Sequence, residues 1–165
     1  MEYLDIYDEN KKLTGRKILR SNNMKLEEGE YINIVIVFMQ NSEGKFLIQK
    51  TSKEKGGVWA TTGGHVKAGT TCDEAILEEI SEELGINVSE VKHVLTEKRG
   101  FAYQDIYYLK KDIDISDVTL QKEEVECVKW LSIDEINKLI EEDKFRRGNI
   151  NAFKYIIENG ITSKR

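Results

Sequence analysis

Six acidic residues crowd into the eleven positions from Asp73 to Glu83, and no Lys or Arg occurs between Ala68 and Val91. Glutamates four residues apart on a helix repel each other by about 0.2–0.5 kcal/mol per pair. Carboxylates on one side of a helix are also the oxygen ligands that a hard divalent cation such as Mg²⁺ takes. The acidic cluster therefore has two interpretations, a solvated acidic face or a metal site. In a metal site the candidate ligands are Glu79, Glu82 and Glu83.

The acidic segment itself is predicted to be a helix from about Thr71 to Leu84. Thr71 followed by Glu74 is a capping-box pattern, and Gly85 is well placed as the C-terminal stop. Glutamates in the last turn are unfavourable by about 0.3–1 kcal/mol because they meet the negative end of the helix dipole. One face of the helix is apolar through Ile76, Leu77, Ile80 and Leu84.

The remaining patterning predicts a single α/β domain with helices on both sides of a sheet. The first 20 residues are expected to form a β-hairpin around Asp8 to Asn10, and this hairpin is the part most typical of an appendage. A capping box at Ser132 and Glu135 predicts a late helix. The other predicted elements are strands at 31–40, 45–50, 93–98, 103–110 and 125–131, and a last helix at 150–158.

Composition narrows the class of protein. The chain has 165 residues and a net charge of −5, which suits one globular domain and argues against generic nucleic-acid binding by a basic surface. Cys72 and Cys127 form no metal-type pattern, and the sequence opens without a secretory segment, so we expect a reducing, cytoplasmic setting. The longest apolar run, Ile34 to Met39, is too short to cross a bilayer, so no membrane partner is expected.

The glycines and glutamates around the acidic helix resemble the Nudix box in register. That resemblance rests on Gly64, Glu79, Ile80, Glu82, Glu83, Gly85 and Ile86. The opening residues and the segment around "VTLQKEEVECVKW" are similar to the branch that includes isopentenyl-diphosphate isomerase and its hydrolase relatives. The resemblance implies one Nudix-like domain over residues 1–165, an α/β/α sandwich around a mixed sheet, with residues 1–20 as an N-terminal hairpin extension.

The same resemblance implies Mg²⁺- or Mn²⁺-dependent hydrolysis of a nucleoside diphosphate linked to another moiety. Glu79 and Glu83 would be the leading metal ligands, and Glu82 a further ligand or a residue that orients water. A carboxylate from a later loop would assist, with Glu123, Glu124 and Glu126 as candidates and Glu124 as the working choice. The expected partner is a small-molecule diphosphate rather than a nucleic-acid polymer, and the chain is expected to be a monomer or a homodimer.

Several residues near the box are weaker candidates for substrate binding. Gly63 and Gly64 would allow close approach of the backbone to a ligand. His65 stands where the isomerase also has a His, and a structural role in a turn is equally open. Lys50 and Arg99 would contact a phosphate, although an exposed charge at a strand end is the default interpretation. Trp59 is more typical of a core residue, and Arg16 is a candidate of the same weak kind as Lys50.

Two departures from the box leave an alternative function open. Thr70 replaces the first Glu of the box and Glu78 replaces its Arg, so the chain could be a weakened or non-catalytic module that binds a nucleotide or protein. Isomerase chemistry is less favoured, because Gly63 stands where that enzyme has its cysteine.

Overall fold

The computed structural model describes residues 2–161, which form one mixed β-sheet, three α-helices and an N-terminal hairpin. The strands are β1 (Tyr3–Tyr7), β2 (Leu13–Leu19), β3 (Ile32–Gln40), β4 (Phe46–Thr51), β5 (Trp59–Ala60), β6 (Thr62–His65), β7 (Lys92–Arg99), β8 (Ala102–Lys110) and β9 (Val125–Leu131). The helices are α1 (Cys72–Leu84), α2 (Ile133–Glu141) and α3 (Arg147–Glu158). Within residues 2–161, none of the helices has the length and apolarity needed to cross a membrane.

Strand β3 is the centre of the seven-stranded sheet. It runs parallel to β8 along its whole length, from Ile32 opposite Ala102 to Gln40 opposite Lys110. Its other edge pairs with β6, from Ile34 opposite His65 to Val37 opposite Thr62. The predicted partner β4 meets β3 at one register pair, Gln40 opposite Phe46, and then diverges to pair with β5 and β9. Because β6 takes the place beside β3, its glycines are carried to the middle of the sheet.

Two separate apolar clusters cover the two faces of the sheet. Alternate residues of β3 face opposite sides, so Val35 and Val37 pack against α1, whereas Ile36 and Phe38 pack against α2 and α3. The buried side chains of α1 include Ile76, Ile80 and Leu84, each at most 1% exposed. This arrangement confirms the predicted α/β/α sandwich.

The predicted ends of α1 are also present. The Thr71 hydroxyl accepts from the Glu74 N–H while the Glu74 carboxylate accepts from the Thr71 N–H, so the capping box is complete. Gly85 adopts a left-handed conformation with φ of 67° and closes the helix. A Cβ at Gly85 would lie 2.8 Å from Cβ of Thr119, so a larger residue would strain the backbone and displace a neighbour.

The predicted hairpin is present as β1 and β2, but β1 is part of the core. Leu4 and Ile6 are at most 1% exposed, because alternate side chains of β1 point toward the sheet. Backbone hydrogen bonds join Tyr7 to Tyr31 and Tyr3 to the turn after β6, while β2 lies mostly in solvent. The extension is therefore an integral layer along one side of the domain rather than a loose appendage.

Helix α3 begins three residues before its predicted start at Ile150. Arg146 is its N-cap and makes no side-chain capping bond, and no acidic residue lies in its first turn. The usual sequence signals for a helix start are thus missing. The earlier start brings Gly148 and Asn149 into the helix at the side of the sheet where the main cavity opens.

Candidate active site

A cavity of about 880 Å³ lies between α1, β6, the end of β7 and the start of α3. Its lining includes Glu79, Glu82 and Glu83 from α1, together with Glu124 from the loop before β9. We call these four residues the carboxylate wall. The lining also includes Arg99 from the end of β7 and Arg146 and Asn149 from the start of α3, which we call the arginine wall.

The two glycines of β6 allow α1 to lie directly against the sheet. A Cβ at Gly64 would lie 2.4 Å from both Cδ and Oε1 of Glu79. A Cβ at Gly63 would lie 2.4 Å from the carbonyl oxygen of Val35. Neither glycine has a positive φ, so the requirement is for space rather than for backbone freedom. The predicted close approach at these positions is thus an approach of α1 and β3 to β6.

Glu83 is held in place by a short chain of polar groups. Its residue is 8% exposed, and Nε2 of Gln49 donates to its Oε1 at 3.1 Å. The hydroxyl of Thr62 in turn donates to Oε1 of Gln49 at 2.9 Å, which fixes the orientation of the amide. Burial raises the pKa of Glu83 to about 7, although the bond from Gln49 opposes that rise.

Glu79 lies one helical turn before Glu83 and shares its environment. Burial raises the pKa of Glu79 to about 8, and the charges of Glu83 and Glu82 add to the effect. Glu82 is more exposed and lies 3.7 Å from Nζ of Lys67. The helix therefore presents two half-buried or buried carboxylates to the cavity and a third one at its edge.

One of the three later candidate glutamates reaches the cavity; Glu123 and Glu124 lie in the loop before β9, and Glu126 lies in β9 itself. Glu124 lines it and pairs with Lys55 at 3.5 Å, while Glu123 is exposed. Glu126 pairs with Lys50 at 3.5 Å, and neither of these two residues is part of the lining. The structure thus brings Glu124 to the other glutamates and leaves Lys50 outside.

The weaker candidates fall into two groups. His65 and Arg99 line the cavity. Burial lowers the pKa of His65 to about 4, and the positive charge of Arg20 adds to this shift. Trp59 packs against the apolar cluster beside α3, and Arg16 pairs with Glu30 on the hairpin side, so neither contributes to the lining.

Several cavity residues carried no recognisable signal in the sequence. Arg146 and Asn149 belong to a helix start without a capping pattern. Gln49 occupies a position of β4 that reads as an ordinary strand residue. The hairpin adds Glu2 and Arg20, whose side chains form an ion pair of 3.2 Å at the cavity rim. Only contacts between distant segments identify these residues.

The two departures from the box lie outside the cavity. Glu78 is exposed on α1, and Thr70 lies in the turn before the helix. Among residues 2–161, no three His, Cys, Asp or Glu side chains already converge at the spacing of metal ligands. The glutamates of the carboxylate wall are thus neighbours, but among residues 2–161 they are not already arranged at metal-ligand distances.

Comparison with known families agrees with this arrangement. The sequence model of the family described as NUDIX domain matches residues 30–153 of this chain. An uncharacterized Nudix hydrolase of Listeria monocytogenes is 34% identical over 153 residues, with 88% of each chain covered. The chain belongs to the Nudix family. These findings do not confirm a closer relation to the isopentenyl-diphosphate isomerase branch.

Solved structures show the same fold. A protein of Deinococcus radiodurans superimposes with a TM-score of 0.78 at 21% identity, covering 92% of this chain and 96% of that one. The NUDIX domain of Shewanella oneidensis NrtR, crystallised with ADP ribose, gives a TM-score of 0.55 at 16% identity, covering 66% and 77%. At these identities the likeness concerns the fold.

Proposed function

We propose that the protein is a divalent-metal-dependent hydrolase of a nucleoside diphosphate linked to another moiety. The observation that carries this proposal is the pair Glu79 and Glu83, side by side on α1 and turned into a cavity of about 880 Å³. A helix optimised for stability alone would have cations among these glutamates. The family's general hydrolase activity supports the same conclusion.

The residues present fit a hard cation. Glu79 lies under Gly64 in a space that a single Cβ would fill, and Glu83 is oriented by Gln49. Carboxylate oxygens are the ligands that Mg²⁺ and Mn²⁺ accept, so Glu79 and Glu83 would hold the ion, with Glu82 as a further ligand. When bound, such an ion neutralises phosphate charge and lowers the pKa of a coordinated water.

The chain's own groups would position the substrate and accept the proton. Glu124 faces the cavity from the loop before β9, so its carboxylate is the group proposed to take a proton from the attacking water. Lys55 pairs with Glu124 at 3.5 Å and holds it on that side of the cavity. Gly63 and Gly64 keep α1 close to the sheet, which fixes the two leading glutamates relative to each other.

The size of the cavity and the family support the proposed substrate class. A cavity of about 880 Å³ is of the size that accepts a drug-sized ligand. The related NrtR domain was crystallised with ADP ribose, a nucleoside diphosphate linked to a sugar. Such a molecule would place its diphosphate at the carboxylate wall and its other parts along the rest of the cavity.

Product analysis with a panel of nucleotide sugars, ADP-ribose, dinucleotides and nucleoside triphosphates tests the proposal. We expect hydrolysis that requires Mg²⁺ or Mn²⁺ and that falls by about 10²–10⁴-fold in Glu83→Gln. The matched control is Glu141→Gln, which removes an exposed helix charge outside the cavity lining and should leave the rate unchanged. Turnover of no substrate, or equal loss in both variants, would contradict the proposal.

A binding module is the second candidate, because residues 2–161 contain no preformed three-ligand cluster and the box has Thr70 and Glu78. Tight nucleotide binding without turnover would favour that function. Isomerase chemistry has less support. Gly63 occupies the cysteine position, and Cys72 lies outside the cavity lining, with its thiol 3.3 Å from Oδ2 of Asp105.

A further inference from the structure

The cations that line the cavity fall into two sets. Arg20, Lys55 and Lys67 each pair with a glutamate that lines the same cavity, at 3.2, 3.5 and 3.7 Å. Arg99 and Arg146 form no ion pair with any residue from 2 to 161. The paired cations offset charge already in the protein, whereas the two arginines leave positive charge without a partner.

Arg99 is directed to the start of α3. Its Nη1 lies 2.9 Å from the position that a Cβ of Gly148 would occupy, so the glycine makes room for the guanidinium. Gln104 also links β7 to α3, because its Nε2 donates to Oε1 of Glu97 and to the carbonyl oxygen of Gly148, both at 3.0 Å. The end of β7 and the first turn of α3 therefore meet at Arg99.

Arg146 is the N-cap of the same helix. The positive end of a helix dipole disfavours nearby cations, yet this end has two arginines, no side-chain cap and no acidic residue in the first turn. The charges of Glu83 and Glu124 act on Arg146 through space without an ion pair. Arg146 is therefore the member of the arginine wall on which charges of the carboxylate wall act.

Asn149 supplies a side-chain donor at the same helix end. The residue is 2% exposed and lines the cavity. Its Oδ1 accepts from the backbone N–H of Thr61 at 3.1 Å, which fixes the orientation of the amide. The Nδ2 of Asn149 has no acceptor among residues 2–161, and this atom is not fully enclosed, so it is accessible from the cavity. This donor is therefore free to bind a ligand oxygen inside the cavity.

We propose that Arg99, Arg146 and Asn149 bind a phosphate group of the substrate in addition to the diphosphate at the carboxylate wall. Guanidinium groups match phosphate oxygens in charge and geometry, and the amide of Asn149 donates to the same group. The substrate is then a nucleoside triphosphate, or a diphosphate whose other moiety carries a further phosphate. The identity of this ligand as a substrate rests on the proposed function, whereas the anion site does not.

Calorimetry with inorganic pyrophosphate in EDTA tests the anion site without any metal or turnover. We expect binding by the unaltered protein, with dissociation constants raised about tenfold or more in Arg99→Ala and Arg146→Ala. Arg147→Ala is the matched control, because its neighbouring guanidinium pairs with Asp143 outside the cavity. Arg99→Lys and Arg146→Lys serve in place of any alanine variant that fails to fold. Absence of binding, or equal loss in Arg147→Ala, would overturn the site.

A second measurement tests the further phosphate. With Mg²⁺ present, the ratio of kcat/KM for a nucleoside triphosphate to that for its diphosphate should fall toward one in Arg99→Ala and stay unchanged in Arg147→Ala. If neither nucleotide is hydrolysed, the same ratio is taken from dissociation constants with Mg²⁺, so the anion site is judged even if the proposed hydrolysis fails. A ratio that is the same in all three proteins would overturn the further phosphate.

Discussion

Buried or half-buried carboxylates at two places on the α1 side of the sheet, Asp105 and the pair Glu79 and Glu83, differ in the direction of their pKa shifts. Asp105 is 2% exposed on β8. Burial alone would raise its pKa, but hydrogen bonds from Thr96, Asn33, His93 and Lys11 outweigh burial and lower the pKa to about 2. The bonds from His93, Asn33 and Lys11 measure 2.7, 2.8 and 3.0 Å.

Glu83 is buried and Glu79 is half-buried, and neither accepts from those donors. Gln49 is the side chain that donates to Glu83, and Lys67, the cation that lowers the pKa of Glu79, pairs with Glu82 instead. Burial accordingly raises the pKa of both glutamates. Buried acids in a cavity whose pKa is raised because few groups donate to them are typical of functional sites. A carboxylate such as Asp105, whose donors lower its pKa, is typical of a structural role.

The largest expected effect on stability comes from removing the charge of Asp105, the carboxylate that accepts from four donors. Asp105→Asn removes the charge that accepts from four donors and leaves the part-exposed ammonium of Lys11 without its partner, which we expect to cost about 3 kcal/mol. Urea unfolding monitored by circular dichroism measures this loss in the free energy of unfolding. Asp117→Asn, an exposed position, should change stability by less than about 0.5 kcal/mol. If the Asp105→Asn protein is as stable as the unaltered one, Asp105 does not have the structural role given to it here.

A methyl group added at Gly64, beside the cavity carboxylate of Glu79, should affect activity rather than stability. The Cβ of Gly64→Ala would lie 2.4 Å from Cδ of Glu79 and displace that carboxylate. Misplacement of a catalytic group by about 1 Å costs on the order of 10²-fold in rate, which we expect in kcat/KM for whichever substrate is turned over. The melting temperature should change little, because the displaced group is the end of a flexible side chain. Unchanged kcat/KM would show that Glu79 need not occupy its present position.

Acid should weaken the contribution of Asp105. Its pKa is lower in the folded protein, at about 2, than its ordinary value of 3.8, so its stabilising contribution is complete above pH 3.8 and is lost as the pH falls through about 2. The shift corresponds to about 2 kcal/mol. Unfolding of the unaltered protein and of Asp105→Asn, compared at steps below pH 4, should show their stability difference shrinking. A difference independent of pH would contradict the role of the donors.

The smallest expected effect is stabilisation by metal at the glutamates. Millimolar Mg²⁺ or Mn²⁺ should raise the free energy of unfolding by about 1–3 kcal/mol, depending on the ratio of ion concentration to Kd. Thermal melting with and without the ion measures this change. Glu83→Gln should abolish the shift, while Asp105→Asn should retain it despite its lower starting stability. An unchanged melting temperature in the unaltered protein would argue against a metal site in the free protein.

Local signals in the sequence predicted the acidic helix and its two ends correctly. Thr71, Glu74 and Gly85 act within a few residues of each other, so capping and termination are readable without tertiary contacts. The box glycines and glutamates predicted the family for the same reason. The carboxylate wall therefore needed little more than one contiguous segment of chain.

The arginine wall and the Asp105 network depend on contacts between distant segments. Asp105 lies in a strand of ordinary composition, and its donors come from positions 11, 33, 93 and 96. Arg146 and Asn149 belong to a helix whose first turn has no capping pattern. Sequence spacing cannot identify groups that become neighbours only when the sheet and α3 assemble.

The hairpin is attached at both of its ends, and this has a consequence for any shortened form of the protein. Lys11 at its turn provides the ammonium beside Asp105, while Glu2 and Arg20 at its open end form part of the cavity rim. The family match begins only at residue 30. A minimal domain cut to that boundary would expose one flank of the substrate cleft and leave a buried anion without its counter-ion, so trimming would impair ligand recognition and folding together.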